Sequence, residues 1–418
     1  MTVSIPDISS VGDVYKLIWI EEHIIAQIDH ISEDRDTVTA EFNFRLNGDV
    51  KGHLYMGKLN MLSATAKDKF AKELNKRLEL EWDTILEQAC VKVIEAYRKG
   101  EPAVRIGNLP SRQKPRYRLY PWILEDNITT IYGFGGKGKS KFATLLALTV
   151  QSGEDKLGNM NPIKGNVLVL DWESCKEDWD EYVKATVLGM CFESNDLPLY
   201  RRCYRTLANE ILEIQALVLE HEIKLIIVDS VGMASEVTDQ FHSSAISFLR
   251  AARSLPCSIL LIDHETKEGK QFGSVYKQNE VRSAFELKSE QESGERVISM
   301  ALYHTKANSG MLTKPQGFKV SFEGNEETTE MVIFERENVA DMPELSKDVP
   351  LKDRLINVLA RGALKIEEAA QEMGLEEKKL PSVKSILKRY KNIVFYQLTD
   401  GTWGLLQKGQ SKGEYYTE

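Results

Sequence analysis

Gly133-Phe134-Gly135-Gly136-Lys137-Gly138-Lys139-Ser140 is the stretch that decides how this chain is read. It fits the pattern G-x-x-x-x-G-K-[ST]. Ile128-Thr129-Thr130-Ile131-Tyr132 comes just before it, a β-branched and aromatic run that predicts a strand. Lys141-Phe142-Ala143-Thr144-Leu145-Leu146-Ala147-Leu148 follows and predicts the first turns of a helix. A glycine-rich turn between a strand and a helix lets backbone N–H groups close around phosphate oxygens, and the helix N-terminus adds partial positive charge. The expected nucleotide-binding set is Gly133, Gly135, Gly136, Lys137, Gly138, Lys139, Ser140 and Lys141. Lys139 is expected to reach the β- and γ-phosphates of ATP, and Ser140 to hold Mg²⁺.

Working outward, the 418 residues exceed one comfortable core, so two or three domains are expected. The composition, 42% hydrophobic and 28% charged, is that of a globular chain, and no apolar run is long enough to cross a bilayer. The N-terminal residues lack the basic and apolar regions of a secretory signal. The five cysteines, Cys90, Cys175, Cys191, Cys203 and Cys257, form no C-x-x-C pair, which points to reduced thiols, no zinc and a cytoplasmic setting. A net charge of −9 excludes a chain coated with basic surface, so any contact with nucleic acid must be local.

The expected class is α/β: a P-loop core with a mainly parallel sheet, a small α+β unit before it and a helical unit after it. Residues 1–102 read as the accessory unit, with strands at Ile24–Ile31, Thr37–Arg45 and Gly52–Met56 and helices at Ala66–Leu78 and Trp82–Tyr97. Its histidines, His23, His30 and His53, have no metal-like spacing. Residues 103–121 form a basic, proline-containing linker. The core, 122–341, alternates strand and helix, then adds late strands at Val297–Tyr303, Phe318–Phe322 and Met331–Phe334. After a linker at 342–350, residues 351–408 show three helices and a hairpin around Asp400-Gly401, the pattern of a winged helix-turn-helix. Lys384, Lys388 and Arg389 lie on its third helix, where DNA-contacting side chains belong. Residues 409–418 are a polar tail.

Leu225-Ile226-Ile227-Val228-Asp229-Ser230 is an apolar run ending in a carboxylate, so Asp229 is the expected partner of the Mg²⁺ shell. Ser230 follows it where a second acid would otherwise stand. The carboxylate that orients the attacking water must come from elsewhere, and Val167-Leu168-Val169-Leu170-Asp171-Trp172-Glu173 supplies it. Glu173 is the expected base, with Asp171 the alternative. Ser258-Ile259-Leu260-Leu261-Ile262-Asp263-His264 ends in His264, expected to sense the γ-phosphate.

In that order, Gly133–Ser140, Val167–Glu173, Ile226–Ser230 and Leu260–Lys267 resemble the RepA-like branch of the RecA/DnaB superfamily of P-loop ATPases. The resemblance continues through Gly273-Ser274 and Arg282 to Lys306-Ala307-Asn308-Ser309-Gly310 and covers roughly half the chain. Members of the branch are hexameric ATPases, best known as replicative helicases of plasmids and phages, and they carry the catalytic glutamate where Glu173 stands. The resemblance implies that Lys306 acts on the nucleotide of the adjacent subunit. Asn308 stands where the pattern has arginine, which leaves three readings open: Lys306 acts alone, Arg282 substitutes, or hydrolysis is slow.

A ring of identical subunits, with DNA as the other partner and no membrane, is what the resemblance implies. Loops after Asp229 (Gly232–His242) and after His264 (Glu265–Asn279) would face the channel. The second holds Lys267, Lys270 and Lys277 beside Phe272 and Tyr276, cations and aromatics suited to single-stranded nucleic acid. Duplex DNA would meet the C-terminal unit. The expected function is a ring-forming DNA helicase or translocase of replication or a mobile element; the alternatives are an ATP-dependent DNA-binding switch and a recombinase-like filament.

Overall fold

The computed structural model describes residues 3–47, 52–100, 103, 105–107, 116–193, 195–235, 241–264, 281–308, 310–325, 328–342 and 344–406, with the backbone alone at 241–243. The N-terminal unit is an antiparallel meander of five strands, β1 (Asp7–Val11), β2 (Val14–Trp19), β3 (Ile24–Asp34), β4 (Thr37–Leu46) and β5 (His53–Asn60), with helices α1 (Ala64–Asn75) and α2 (Trp82–Lys99) on one face. Trp19, Phe42, Phe44, Phe70 and Trp82 fill the space between sheet and helices. Sequence patterning alone missed β1 and β2. Asp13 N–H donates to Gln215 of the core at 3.2 Å, and Val11 packs in a core cluster with Ile214 and Val218.

Two short strands, β6 (Tyr117–Leu119) and β7 (Ile123–Leu124), lead into the core. There follow β8 (Ile128–Gly133), α3 (Lys139–Ser152), β9 (Asn166–Asp171), α4 (Lys176–Met190), β10 (Leu199–Arg202), α5 (Ile211–His221), β11 (Ile223–Asp229), α6 (Val231–Ala234), α7 (Phe241–Arg253) and β12 (Ser258–His264). Then β13 (Ser283–Glu290), β14 (Val297–Ala307), β15 (Gln316–Gly324) and β16 (Thr329–Glu337) complete a nine-stranded sheet in the order β10-β9-β11-β12-β8-β13-β14-β15-β16. The pairs from β10 to β13 are parallel, and those from β13 to β16 antiparallel.

The apolar runs are continuous because helices cover both faces of the parallel part. Val167 and Val169, Leu225 and Ile227, and Leu260 and Ile262 pack with Phe142, Leu145 and Trp179 on the α3–α4 side. Their neighbours Leu168 and Leu170, Ile226 and Val228, and Ile259 and Leu261 pack with Ile214, Val218, Phe248 and Leu249 on the α5–α7 side. Helix α5 starts at Ile211, just after buried Glu210, which accepts the N–H groups of Tyr204 and Arg205 at 3.0 and 2.9 Å.

The C-terminal unit has helices α8 (Leu351–Leu359), α9 (Ile366–Glu372) and α10 (Leu380–Arg389) and a hairpin of β17 (Phe395–Gln397) and β18 (Trp403–Leu405). Leu364 and Trp403 exchange backbone hydrogen bonds at 3.0 and 2.7 Å, tying the α8–α9 connection to the hairpin. No described helix is long and apolar enough to cross a membrane.

Candidate nucleotide site

The parallel strands end at one edge of the sheet, where ligands of open α/β sheets bind. In register, Asp229 pairs with Asp171 on one side and Ile262 on the other, while His264 pairs with Gly133. Four strand ends therefore bring the glycine-rich loop, Glu173, Asp229 and His264 together. The loop turns where Gly136 and Gly138 take φ of 72° and 86°, a region other residues rarely adopt, and α3 begins at the next residue. Gly133 is required for another reason: a Cβ there would lie 2.3 Å from the Leu287 carbonyl oxygen of β13.

Lys139 is buried, and its Nζ donates to the carbonyls of Gly133 and Phe134 at 2.9 and 2.8 Å. The ammonium is thus curled back over its own loop, held by acceptors that phosphate oxygens can replace. Lys137 Nζ donates to the Ser289 carbonyl at 3.0 Å. The Lys141 ammonium lies 4.8 Å from the Tyr182 ring centre and 5.5 Å from that of Phe322, and burial lowers its pKa. Its charge is engaged by aromatic faces of α4 and β15, which leaves its backbone N–H as the group it would offer a phosphate.

Ser140 Oγ donates to Asp229 Oδ2 at 2.6 Å. Burial, with the nearby carboxylates of Glu173 and Asp171, pushes Asp229 up to about 6 against the pull of the Ser140 hydrogen bond and Lys139. A hydroxyl and a buried carboxylate short of positive charge, side by side at the loop, form a hard-oxygen donor pair that fits Mg²⁺. The Asp229–Ser230 peptide is cis.

Glu173 Oε2 and His264 Nε2 are 3.0 Å apart. The His264 hydrogen bond, with further help from Ser230 and the charges of His264 and Lys139, holds the Glu173 carboxyl down at about 2 despite partial burial. His264 is correspondingly raised by its bond to Glu173. Asp171, the alternative base, is fully buried and already saturated. It accepts the Glu173 and Ser174 N–H groups at 2.9 and 3.0 Å, the Ser174 hydroxyl at 3.0 Å, the Tyr200 hydroxyl at 2.8 Å and Arg202 Nη1 at 3.2 Å. It shapes the turn that carries Glu173 and presents no free oxygen to a water. The sequence reading missed Tyr200 and Arg202 because β10 is short, polar and half exposed, with no periodic signal.

Arg282 and Lys306 do not join this cluster. Arg282 N–H donates to the Ile128 carbonyl at the start of β8, and Lys306 pairs with Ala284, itself level with Thr130. At about 3.3 Å per residue and roughly 5 Å per strand, the Lys306 backbone is ~10 Å back from the loop and two strands aside. Both backbones therefore lie away from the glycine-rich loop, and Asn308, whose N–H donates to the Arg282 carbonyl at 2.9 Å, is exposed beside them. Lys384, Lys388 and Arg389 are exposed on α10. Lys267, Lys270, Phe272, Tyr276, Lys277, Gly273 and Ser274 lie outside the described residues, as does most of the basic linker. Elsewhere, Asp29, His30 and Glu41 bring ligand-type atoms within 4.8 Å of one another on the N-terminal sheet, with His30 Nδ1 2.7 Å from Asp29 Oδ1.

A family model described as an AAA domain matches residues 96–270, from the end of α2 to just beyond β12. No curated protein matches the chain. Among solved structures, a KaiC-like protein from the hyperthermophilic archaeon Pyrococcus horikoshii OT3 overlaps at 12% identity and a TM-score of 0.38, covering 54% of this chain and 98% of its own. The family match and the geometry of the loop, Ser140 and Asp229 together support an ATP-binding P-loop ATPase domain.

Proposed function

We propose that this chain is an ATP-driven motor on nucleic acid that works as a ring of identical subunits, with DNA unwinding or translocation as its activity. The observation that carries the reading is the separation of the two halves of the chemistry. Lys139, Ser140, Asp229 and Glu173 gather at one edge of the sheet, while Lys306 and Arg282 sit toward the other. Cations placed that far from their own loop are of use to a nucleotide only if a neighbouring subunit presents one. A cyclic arrangement satisfies every site at once.

In this reading Lys139 exchanges its two loop carbonyls for phosphate oxygens, and Ser140 and Asp229 hold Mg²⁺. The bound metal supplies charge neutralisation at the β- and γ-phosphates. Glu173 orients the attacking water and accepts its proton, with Asp171 fixing the turn from which it reaches. His264 holds Glu173 while the site waits, and a γ-phosphate oxygen that accepts the His264 N–H frees the carboxylate for water. β11 and β12 end at the same edge, and Met233 of α6, just after β11, is 62% exposed. The three helices, the Leu364–Trp403 bridge and the exposed Lys384, Lys388 and Arg389 favour a winged helix that meets duplex DNA.

Steady-state hydrolysis with and without single-stranded DNA tests the motor. DNA should raise turnover severalfold, and the stimulation should fade between about 50 and 200 mM salt as phosphate contacts lose their counterion-release advantage. A rate indifferent to DNA and RNA contradicts the motor. It favours the second reading, an ATP-dependent DNA-binding switch, for which Asn308 at the position of an arginine is the specific support.

A further inference from the structure

We infer that Arg202, on the edge strand of the sheet, is a positioning residue for hydrolysis, acting through Asp171 on Glu173; the inference rests on the reading of Glu173 as the base. Glu173 itself is half exposed and stands on a turn outside regular structure, so its aim is set by whatever fixes residues 171–174. The fixing contacts come from two sources. Asp171 Oδ1 takes the N–H groups of Glu173 and Ser174, which folds the turn onto the carboxylate. Asp171 Oδ2 is then held from the side by the Tyr200 hydroxyl at 2.8 Å and Arg202 Nη1 at 3.2 Å.

The same edge segment also holds the residue between them: Trp172 Nε1 donates to the Arg205 carbonyl at 2.8 Å, and Cys203 N–H donates to the Asp171 carbonyl at 2.9 Å. The side chains of Tyr200 and Arg202 and the backbone alone of Cys203 and Arg205 therefore clamp both residues that precede Glu173. Arg202 is the only cation bonded to the Asp171 carboxylate among the described residues. Its side chain is 30% exposed and is bonded through Nη1 to a fully buried carboxylate. The Tyr204 ring, 85% exposed, lies 5.8 Å from that guanidinium, so the link between the surface and the catalytic turn is one side chain long.

Losing the link need not unfold anything, because the backbone tethers at Cys203 and Arg205 remain. What changes is the freedom of the turn, and errors of about 1 Å in a catalytic group cost up to 10²-fold in rate. The test uses the full-length chain and compares Arg202→Gln, Arg202→Lys, Tyr200→Phe and Arg205→Gln, with Glu173→Gln as reference. Each is measured for affinity toward a fluorescent ATP analogue with Mg²⁺, for kcat and KM, and for Tm.

Arg202→Gln should lower kcat by about 10-fold or more while affinity stays within about 2-fold. Arg202→Lys should recover part of the loss by restoring a cation to Asp171. Tyr200→Phe, which keeps the ring, should lower kcat by a smaller factor. Arg205→Gln removes the equally basic neighbour paired with Glu213 at 2.6 Å but leaves the carbonyl tether, so kcat should be unchanged. The inference is overturned if Glu173→Gln abolishes turnover while Arg202→Gln and Tyr200→Phe both keep wild-type kcat. It is equally overturned if Arg202→Gln and Arg205→Gln lose activity alike and in step with Tm. Normal turnover by Glu173→Gln instead removes the assignment of the base.

Discussion

At the scale of single residues, Asp229 sets a pH dependence. With its pKa near 6 before metal binds, the carboxylate must lose a proton to become a ligand. Mg²⁺-dependent ATP affinity should therefore rise about tenfold from pH 5 to pH 7, the fall in the protonated fraction over that interval. Asp229→Asn should weaken binding and flatten the curve; titration of a fluorescent analogue across pH checks both. The Glu173–His264 pair titrates in opposite senses. Stability drawn from Glu173 is present above its unfolded value near 4.5 and lost as pH falls toward 2. Stability drawn from His264 is full below 6.5 and lost as pH climbs through its raised value. In an NMR titration of the nucleotide-free protein, His264 should titrate above 6.5, and Glu173→Gln should move it down. A value unmoved by that substitution would mean the pair does not form.

The placement of most candidate site residues was legible because their neighbours in sequence announce where they stand: a carboxylate or histidine at the end of a buried apolar run must sit at the end of a strand. The direction of the Lys141 side chain was not, because one position along a helix rotates a side chain by about 100°, and here it meets Tyr182 and Phe322. Arg202 could not be read at all, since only strand pairing shows that it stands opposite Asp171.

At the scale of elements, β13 is the telling case. Ser283–Glu290 mixes charge with apolar residues and gave no clear strand pattern, yet it pairs with the loop strand β8 and separates it from Lys306. Ser283, Ala284, Phe285 and Leu287 are buried, and from Phe285 onward buried positions alternate with the partly exposed Glu286 and Lys288, as successive side chains of a strand point to opposite faces. The close approach of β8 and β13 at Gly133 gives a prediction. Gly133→Ala would press a methyl group against the Leu287 carbonyl, so the two strands must separate. The substitution should cost about 1–3 kcal/mol in urea unfolding and weaken ATP binding with it. Wild-type stability in that variant would show that the loop strand is not held as described. Strands β1 and β2 escaped the sequence reading because they are short and interrupted by Gly12 and Asp13, although β2 shows an alternating burial once paired.

At the scale of the whole molecule, the proposed ring divides hydrolysis between subunits. Glu173→Gln and Lys306→Ala should each be inactive alone. Mixed before assembly, they should regain a fraction of wild-type turnover, since some interfaces then join an intact Glu173 to an intact Lys306. A mixture as inactive as its parts would place both residues in one site, against the distance between them. The division was legible only as a resemblance, because no local pattern says which face meets a neighbour. The sheet order adds one supporting observation, that Lys306 stands two strands from the glycine-rich loop of its own chain.

The most direct measurement is ATP binding and turnover with Mg²⁺ by the wild-type chain, Lys139→Ala and Glu173→Gln. In the proposed reading the wild type binds and hydrolyses, Lys139→Ala loses binding, and Glu173→Gln binds with wild-type affinity but does not hydrolyse. A wild-type protein that fails to bind ATP with Mg²⁺, or a Glu173→Gln variant that hydrolyses at the normal rate, would contradict it.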